Sequence, residues 1–425
     1  MYQRPPARLL IERLREEPRH IQILTGPRQV GKTTLVGQIL QKRPPDSRLY
    51  AAADDPTSEI LLEDLAGTAQ TTATSTGRRP DSSWLVEQWQ RAKSAANAWS
   101  GAANRSREFP WFVFVVDEIQ KVPQWPDLIK GLWDATRAKP ASMHVVLLGS
   151  SPLLLQKGLK ESLAGRYEVT NMSHWSFEEM NDAFGLSLDH YIYFGGYPGS
   201  NGFIHQESRW REYVLRGLIE PNIEKDILMM TRVDKPALLK QLFDVGCEYS
   251  GQIVALDKVL GRLTDAGNVT TLTRYLDLLG KAGLLVGLEK YSDHLVRRRK
   301  SPPKFTVLNT ALMSATGTHS FAEARADRSH WGRLVESAVG AHLCNTTSGT
   351  TRIHYWRESP VEVDYVIEHR GRLAAVEVKS GSAPVKVSGL EEFLRRHSGC
   401  RRWIVGANGI PVGEFLRYPA AHWVG

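Results

Sequence analysis

The run Gly26-Pro27-Arg28-Gln29-Val30-Gly31-Lys32-Thr33-Thr34 constrains this chain more than any other segment. It fits the pattern G-x-x-x-x-G-K-[ST] and lies between an apolar stretch, Ile21 to Leu24, and an amphipathic one, Leu35 to Leu40. That is strand, loop, helix. In such a loop the glycines let successive backbone N–H groups face the β- and γ-phosphates of a nucleotide, and the helix N-terminus adds the positive end of its dipole. In this reading residues 26–34 bind ATP, Lys32 bridges phosphate oxygens and the Thr33 hydroxyl ligates Mg²⁺.

A phosphate loop needs an acidic partner for its magnesium. Phe112-Val113-Phe114-Val115-Val116 is continuously apolar, as expected of a strand buried on both faces of a parallel sheet, and it ends in Asp117-Glu118. Open α/β sheets bind ligands at the C-terminal ends of their strands. Asp117 is expected to hold Mg²⁺ and Glu118 to orient or deprotonate the attacking water, in chemistry that asks for positioning and charge stabilisation. A third strand, His144 to Leu148, runs into Gly149-Ser150-Ser151. A small polar residue at that tip would sense the γ-phosphate, Ser150 ahead of Ser151, although glycine followed by serines is also an ordinary turn. Arg166, in Ala164-Gly165-Arg166, reads either as an arginine finger for its own or a neighbouring subunit or as a surface arginine. Leu153 to Phe184 is expected to close this part of the chain as helices.

At this point the sequence resembles a known family. Leu24 to Leu35 and Val116-Asp-Glu-Ile-Gln-Lys-Val-Pro-Gln-Trp125 are similar to prokaryotic AAA+-type ATPases that carry a C-terminal domain of unknown function with a restriction-endonuclease-like core. Leu49-Tyr-Ala-Ala-Ala-Asp-Asp-Pro56 and Gly195-Gly-Tyr-Pro198 extend the match, so that it covers most of the chain. The resemblance implies architecture and nucleotide chemistry, and much less about the biological task.

The whole-chain figures agree with that class. A length of 425 residues suggests two to three domains, and a hydrophobic content of 42% permits real cores. No apolar run reaches the roughly 18 residues needed to span a membrane, and the N-terminus lacks the apolar core of a secretory signal. Three widely spaced cysteines, Cys247, Cys344 and Cys400, argue against a disulfide framework and fit a reducing cytoplasm. A soluble cytoplasmic protein without a membrane partner is expected. Lys plus Arg outnumber Asp plus Glu by 54 to 46, a net charge of +8 that suits a polyanionic partner.

Residues 67–83 are small, polar and aperiodic, which marks a flexible loop within an insertion over about 67–108. A helical stretch from Trp84 to Trp99 follows, with surface packing or a subunit contact as its default role. The middle third reads as a winged helix: Leu238 to Tyr249, Ala255 to Leu263 and Thr271 to Ala282 as three helices, then a wing from Leu284 to Leu288. Few residues on the third helix are candidates for base readout: Thr270, Thr271, Thr273 and Arg274. Arg297-Arg298-Arg299-Lys300 follows the first wing strand and reads as a phosphate contact or as a solvated loop, DNA being favoured over RNA if the segment binds nucleic acid. Winged helices also serve as protein-docking spacers.

Near the C-terminus, Val361 to Glu368 and Leu373 to Lys379 are two alternating strands around Arg370-Gly371. A two-residue turn there opposes His369 to Arg372 and sets Asp364 directly across from Glu377, about 5 Å apart at Cβ. Lys379 lies two residues on and shares that face. Two carboxylates for Mg²⁺ or Mn²⁺ and a lysine to activate water would make a phosphodiester-hydrolysing site. The arrangement resembles the PD-(D/E)XK nucleases, and the upstream helix Gly332 to Leu343 offers Glu336 where that superfamily often has an acid. Val363 stands where the superfamily has proline. The expected whole is an α/β protein and a possible homo-oligomer: an AAA+-like P-loop ATPase domain over 1–190, a helical linker and winged helix over 191–315, and a nuclease-like domain over 316–425. Two functions compete for it, an ATPase that gates or drives a nucleic-acid enzyme, and an ATP-dependent switch or scaffold whose nuclease-like fold only binds.

Overall fold

Four short, largely apolar strands and one polar edge strand form the centre of the N-terminal unit. In the computed structural model the described residues are 2–54, 80–101, 108–137, 143–149, 162–227, 233–263, 268–292, 301–381 and 388–425. They fall into two units, Met1–Met172 and Ser173–Gly425.

In the first unit α1 (Pro6–Arg13), β1 (Ile21–Thr25), α2 (Lys32–Gln41) and β2 (Arg48–Ala52) are followed by α3 (Ser82–Ser100), β3 (Phe112–Asp117), α4 (Trp125–Arg137), β4 (Met143–Gly149) and β5 (Tyr167–Asn171). All strands are parallel, in the order β2-β3-β4-β1-β5. Alternate residues of β3 face opposite layers. Phe112, Phe114 and Val116 pack against Trp89 and Trp99 of α3 and Ile129 and Trp133 of α4, whereas Val113 and Val115 pack against Leu10 of α1 and Val36 and Leu40 of α2. Two expectations are corrected here. The tryptophan-bearing helix is a core layer, with Trp89 edge-on to Phe114 at 5.9 Å and its indole N–H donating to Thr136 Oγ1 at 3.1 Å, because its apolar residues recur at helical spacing toward the sheet. The segment from Leu153 to Phe184 is not helical throughout, since Tyr167–Asn171 adds an edge strand to β1. Only Thr170 of that strand is buried, so it carries no apolar run by which to read it. Residues 67–79 and 102–107 of the expected insertion lie outside the described residues.

In the second unit α5 (Phe177–Phe184), α6 (Leu188–Phe194) and α7 (Glu207–Glu212) precede α8 (Pro236–Glu248), α9 (Leu256–Leu260) and α10 (Val269–Lys281). An antiparallel pair, β6 (Leu285–Leu288) and β7 (Lys304–Val307), comes next. The Gly195-Gly196 turn docks on Asn309: its side-chain oxygen accepts from Gly196 N–H at 3.1 Å, and a Cβ on Gly195 would lie 2.0 Å from that oxygen. Then follow α11 (Thr310–Thr316), α12 (Phe321–Ala326), α13 (Arg328–Asn345), β8 (Thr351–Glu358), β9 (Val361–His369), β10 (Arg372–Lys379), α14 (Ser388–Arg396), β11 (Arg401–Gly406) and α15 (Val412–Phe415). These last strands form one sheet, β11-β10-β9-β8, antiparallel except where β10 meets β11. Phe393 and Leu390 of α14 pack against Val363 and Val366. At Gly340 of α13 a Cβ would lie 2.3 Å from the Tyr365 hydroxyl, so only glycine permits that close packing of helix on sheet. Among the described residues no helix is long and apolar enough to cross a membrane.

Each unit buries a histidine. His144 Nε2 lies 3.0 Å from Glu16 O, and His342 Nε2 lies 2.8 Å from Tyr418 O. Burial holds both imidazoles neutral, with pKa values pushed down to about 4 from 6.5. Above pH 6.5 both groups are neutral in the folded and the unfolded chain, and their titration leaves stability unchanged. As pH falls from there toward 4, the unfolded chain takes up protons that the folded chain refuses. Stability should fall through that window by at most about 1 kcal/mol per pH unit for each group. Melting temperatures of His342→Gln should vary less with pH there than those of wild type, and an equal slope would place the acid lability elsewhere.

Candidate functional site

The phosphate-loop residues converge at the C-terminal edge of the parallel sheet. The loop leaves β1 at Gly26, where a Cβ would lie 2.1 Å from the Met172 carbonyl oxygen, so glycine alone permits the close approach. Gly31 caps α2 in the left-handed region at φ 86°. The buried Lys32 ammonium donates to Gly26 O at 2.8 Å and to Pro27 O at 2.7 Å. Across the crevice Asp117 gathers three donors. Thr33 Oγ1 reaches Oδ2 at 2.6 Å, the Tyr50 hydroxyl reaches the same oxygen at 2.8 Å, and Glu118 N–H reaches Oδ1 at 2.7 Å. Burial and then the Asp117 charge push the Tyr50 hydroxyl well above its ordinary pKa, so it stays a donor. Glu118 has φ 51°, a left-handed conformation uncommon in a residue with a side chain, and the Gln120 amide donates to its carboxylate.

In the second unit the hairpin has the expected register. Arg372 pairs with His369 and Val376 with Tyr365 around a turn in which Arg370 (φ 50°) and Gly371 (φ 78°) are both left-handed, the two-residue geometry that matches strand twist. Asp364 and Glu377 are thereby neighbours, and Asp364 Oδ2 accepts from Val378 N–H at 2.8 Å. Lys379 Nζ is 2.5 Å from Glu377 Oε1, whose buried partner oxygen Oε2 has no hydrogen-bond partner among the described residues. Glu336 joins them through a residue the sequence reading did not single out. Lys304 Nζ, on β7, is 2.5 Å from Glu336 Oε1, 3.6 Å from Asp364 Oδ1 and 3.1 Å from Asp364 O, and lies over the Tyr365 ring at 4.6 Å. Burial, then the Asp364 charge, push Glu336 and Glu377 above the usual carboxylate range. Burial opposes the charge on Lys304, but Glu336 and Asp364 more than offset it and hold its pKa above the ordinary lysine value. Among the described residues no three His, Cys, Asp or Glu side chains form a group that could hold a metal ion.

Residues 18–181 match the model of an AAA domain. The N-terminal unit thus carries an AAA domain. Residues 185–321 and 331–409 match two domains of unknown function, DUF8612 and DUF4143. Uncharacterised proteins of Mycobacterium tuberculosis and Mycobacterium bovis are each 25% identical to the chain over 366 residues, which covers 85% of this chain and 70% of theirs. A solved Walker-type ATPase of Pyrococcus abyssi matches 74% of the chain and 96% of its own, with a TM-score of 0.50 at 17% identity, a likeness of fold.

Within the AAA domain, Lys32, Thr33, Asp117 and Glu118 share one edge of the sheet, while Ser150 lies outside the described residues. Arg166 is elsewhere. Its carbonyl accepts from Ile21 N–H at 2.8 Å, which places it at the N-terminal edge, about 15 Å of strand from the loop. Its guanidinium forks onto Asp134 of α4, with Nε at 2.8 Å and Nη2 at 2.9 Å. An in-cis finger is incompatible with that position. Tyr50, Gln120 and Met172 were missed by sequence reasoning. Tyr50 had a signal, a polar-tipped aromatic in a buried strand within the Leu49–Pro56 match.

Proposed function

We propose that the protein is a Mg²⁺-dependent ATPase whose AAA domain, over 1–190, works with a winged-helix part over 191–315 and a restriction-endonuclease-like part over 316–425. What carries the ATPase reading is the 2.6 Å meeting of Thr33 and Asp117, 84 residues apart, beside a loop whose first glycine has no room for a side chain. These are hard oxygen donors of the kind magnesium takes, and the donor set fits it. When bound, magnesium supplies positive charge to the phosphate oxygens. Lys32 and the loop N–H groups bind the phosphates, Tyr50 and Glu118 N–H fix the Asp117 carboxylate, and Glu118 orients or deprotonates the attacking water. Tyr50→Phe should raise the Mg²⁺ concentration for half-maximal phosphate release roughly tenfold while ATP binding persists, the effect of losing one bond to a charged group. An unchanged Mg²⁺ dependence would remove Tyr50 from the site.

Arg166 would serve a neighbouring copy only by leaving Asp134, on which its guanidinium now forks. If it acts there, activity per chain rises with protein concentration and Arg166→Ala loses turnover while still binding ATP. A monomer with concentration-independent specific activity would rule this out.

For the C-terminal parts, nucleic-acid binding is supported by the net charge of +8 and by the exposed Thr270, Thr273 and Arg274 on α10, the third of three helices before the β6–β7 pair. The basic run Arg297 to Lys300 lies outside the described residues. DNA affinity should fall steeply with salt. Of the two functions, nuclease and binding-only switch, the second is favoured by one observation, the Lys304 ammonium standing between Glu336 and Asp364. The test is a cleavage assay on single- and double-stranded DNA and on RNA with Mg²⁺ or Mn²⁺. Cutting lost in Asp364→Ala and Lys379→Ala would establish the nuclease.

A further inference from the structure

We propose that Lys304 is the resident cation of the C-terminal carboxylate cluster, and that Asp364, Glu377 and Glu336 therefore take no divalent metal ion. The donor set looks right for a hard cation, but the space is filled. One ammonium touches Glu336 Oε1, Asp364 Oδ1 and the Asp364 carbonyl, three oxygens of the kind a metal ion would recruit. A second ammonium, on Lys379, holds the near oxygen of Glu377. Three carboxylates thus face two ammonium groups, leaving a formal charge of one rather than the excess that draws a divalent ion.

Lys304 has no easy way out. Only 4% of its side chain is exposed, and the Tyr365 ring closes over its ammonium at 4.6 Å. Tyr365 is itself pinned to α13, donating to Glu336 O at 2.9 Å. The backbone around Lys304 is held from two sides. It pairs with Leu288 of β6, while the adjoining residues bond to the Gln252–Val254 segment, with Val254 N–H donating to Pro303 O at 3.1 Å and Phe305 N–H donating to Gln252 O at 3.0 Å. A metal ion would have to expel a buried charge from a strand that cannot slide. The inference rests on the restriction-endonuclease-like reading only in naming the kind of ion such a fold holds, and ATP hydrolysis in the AAA domain plays no part in it.

The test is titration of the nucleotide-free full-length chain with Mn²⁺ alone, by calorimetry and thermal shift. Wild type, Asp364→Asn and Glu377→Gln should take up the same amount of Mn²⁺. Lys304→Ala, which removes the ammonium and opens its space, should gain one further Mn²⁺ bound at least about tenfold more tightly than any in wild type, and Lys304→Ala combined with Asp364→Asn should lose it. Wild-type uptake that disappears in Asp364→Asn overturns the proposal, as does a folded Lys304→Ala that gains nothing. Should Lys304→Ala fail to fold, the comparison of wild type with the two carboxylate variants decides alone. Phosphate release from ATP, measured on the same preparations, reports separately on the AAA domain.

Discussion

Lys32→Ala should lose ATP binding, while Glu118→Gln should bind ATP as wild type does and release phosphate at least about 100-fold more slowly, the usual contribution of a positioned acid–base group. The two variants separate because the residues sit on different parts of the site. Lys32 opens α2 inside the loop, its ammonium already turned onto the Gly26 and Pro27 carbonyls, so its loss would remove the cation that the proposed site sets against the phosphates. Glu118 follows β3 and is held by Gln120, so the glutamine replacement keeps shape and removes only the basic oxygen. Equal turnover by wild type and Glu118→Gln would defeat the assignment of the base. Normal ATP affinity in Lys32→Ala would defeat that of the loop.

Lys304→Met should destabilise the C-terminal unit by about 3–5 kcal/mol, because it keeps the bulk of the side chain and leaves Glu336 and Asp364 buried without their counter-charge. At about 2–4 °C per kcal/mol for a unit of this size, the melting temperature should fall by about 10 °C. Lys379→Met makes the contrast. Lys379 also lies 2.5 Å from a carboxylate, but its side chain keeps 34% of its exposure, against 4% for Lys304. Solvent can stand in for it, and a loss of about 1 kcal/mol or less is expected. Equal losses in the two variants would mean that burial does not set the strength of these pairs.

What the sequence revealed, and what it hid, follows the range of the forces involved. The phosphate loop, the acidic end of β3 and the β9–β10 hairpin are written in consecutive residues, and period and turn chemistry suffice to place them; the hairpin register followed from two residues, Arg370 and Gly371. Lys304 is a different case. It reaches Asp364 across 60 residues of sequence and becomes important only because β7 lies beside α13 and the sheet. The available signal was a lysine opening the aromatic and β-branched run Phe305-Thr306-Val307, since a charge in a buried strand needs a partner. Strand β5 was hidden for the opposite reason. As the outermost strand of its sheet it buries one side chain of five, and its identity comes from backbone pairing with β1, which leaves little mark on composition.

The all-parallel sheet gives the AAA domain two unlike ends. Strand ends bearing Gly26 and Asp117 form one, and the Arg166–Asp134 fork forms the other. A twofold pair must present one and the same patch from both partners, so it holds both ends only where that patch spans the roughly 15 Å of strand between them. Where the contact is confined to the two ends, an arginine from the far end meets a neighbour's nucleotide in head-to-tail contact, copy after copy in one direction. Such a contact is heterologous and has only two outcomes, a ring if the rotation per copy closes and a filament if it does not. The polarity of one five-stranded sheet thus limits the symmetry of any assembly in which Arg166 works.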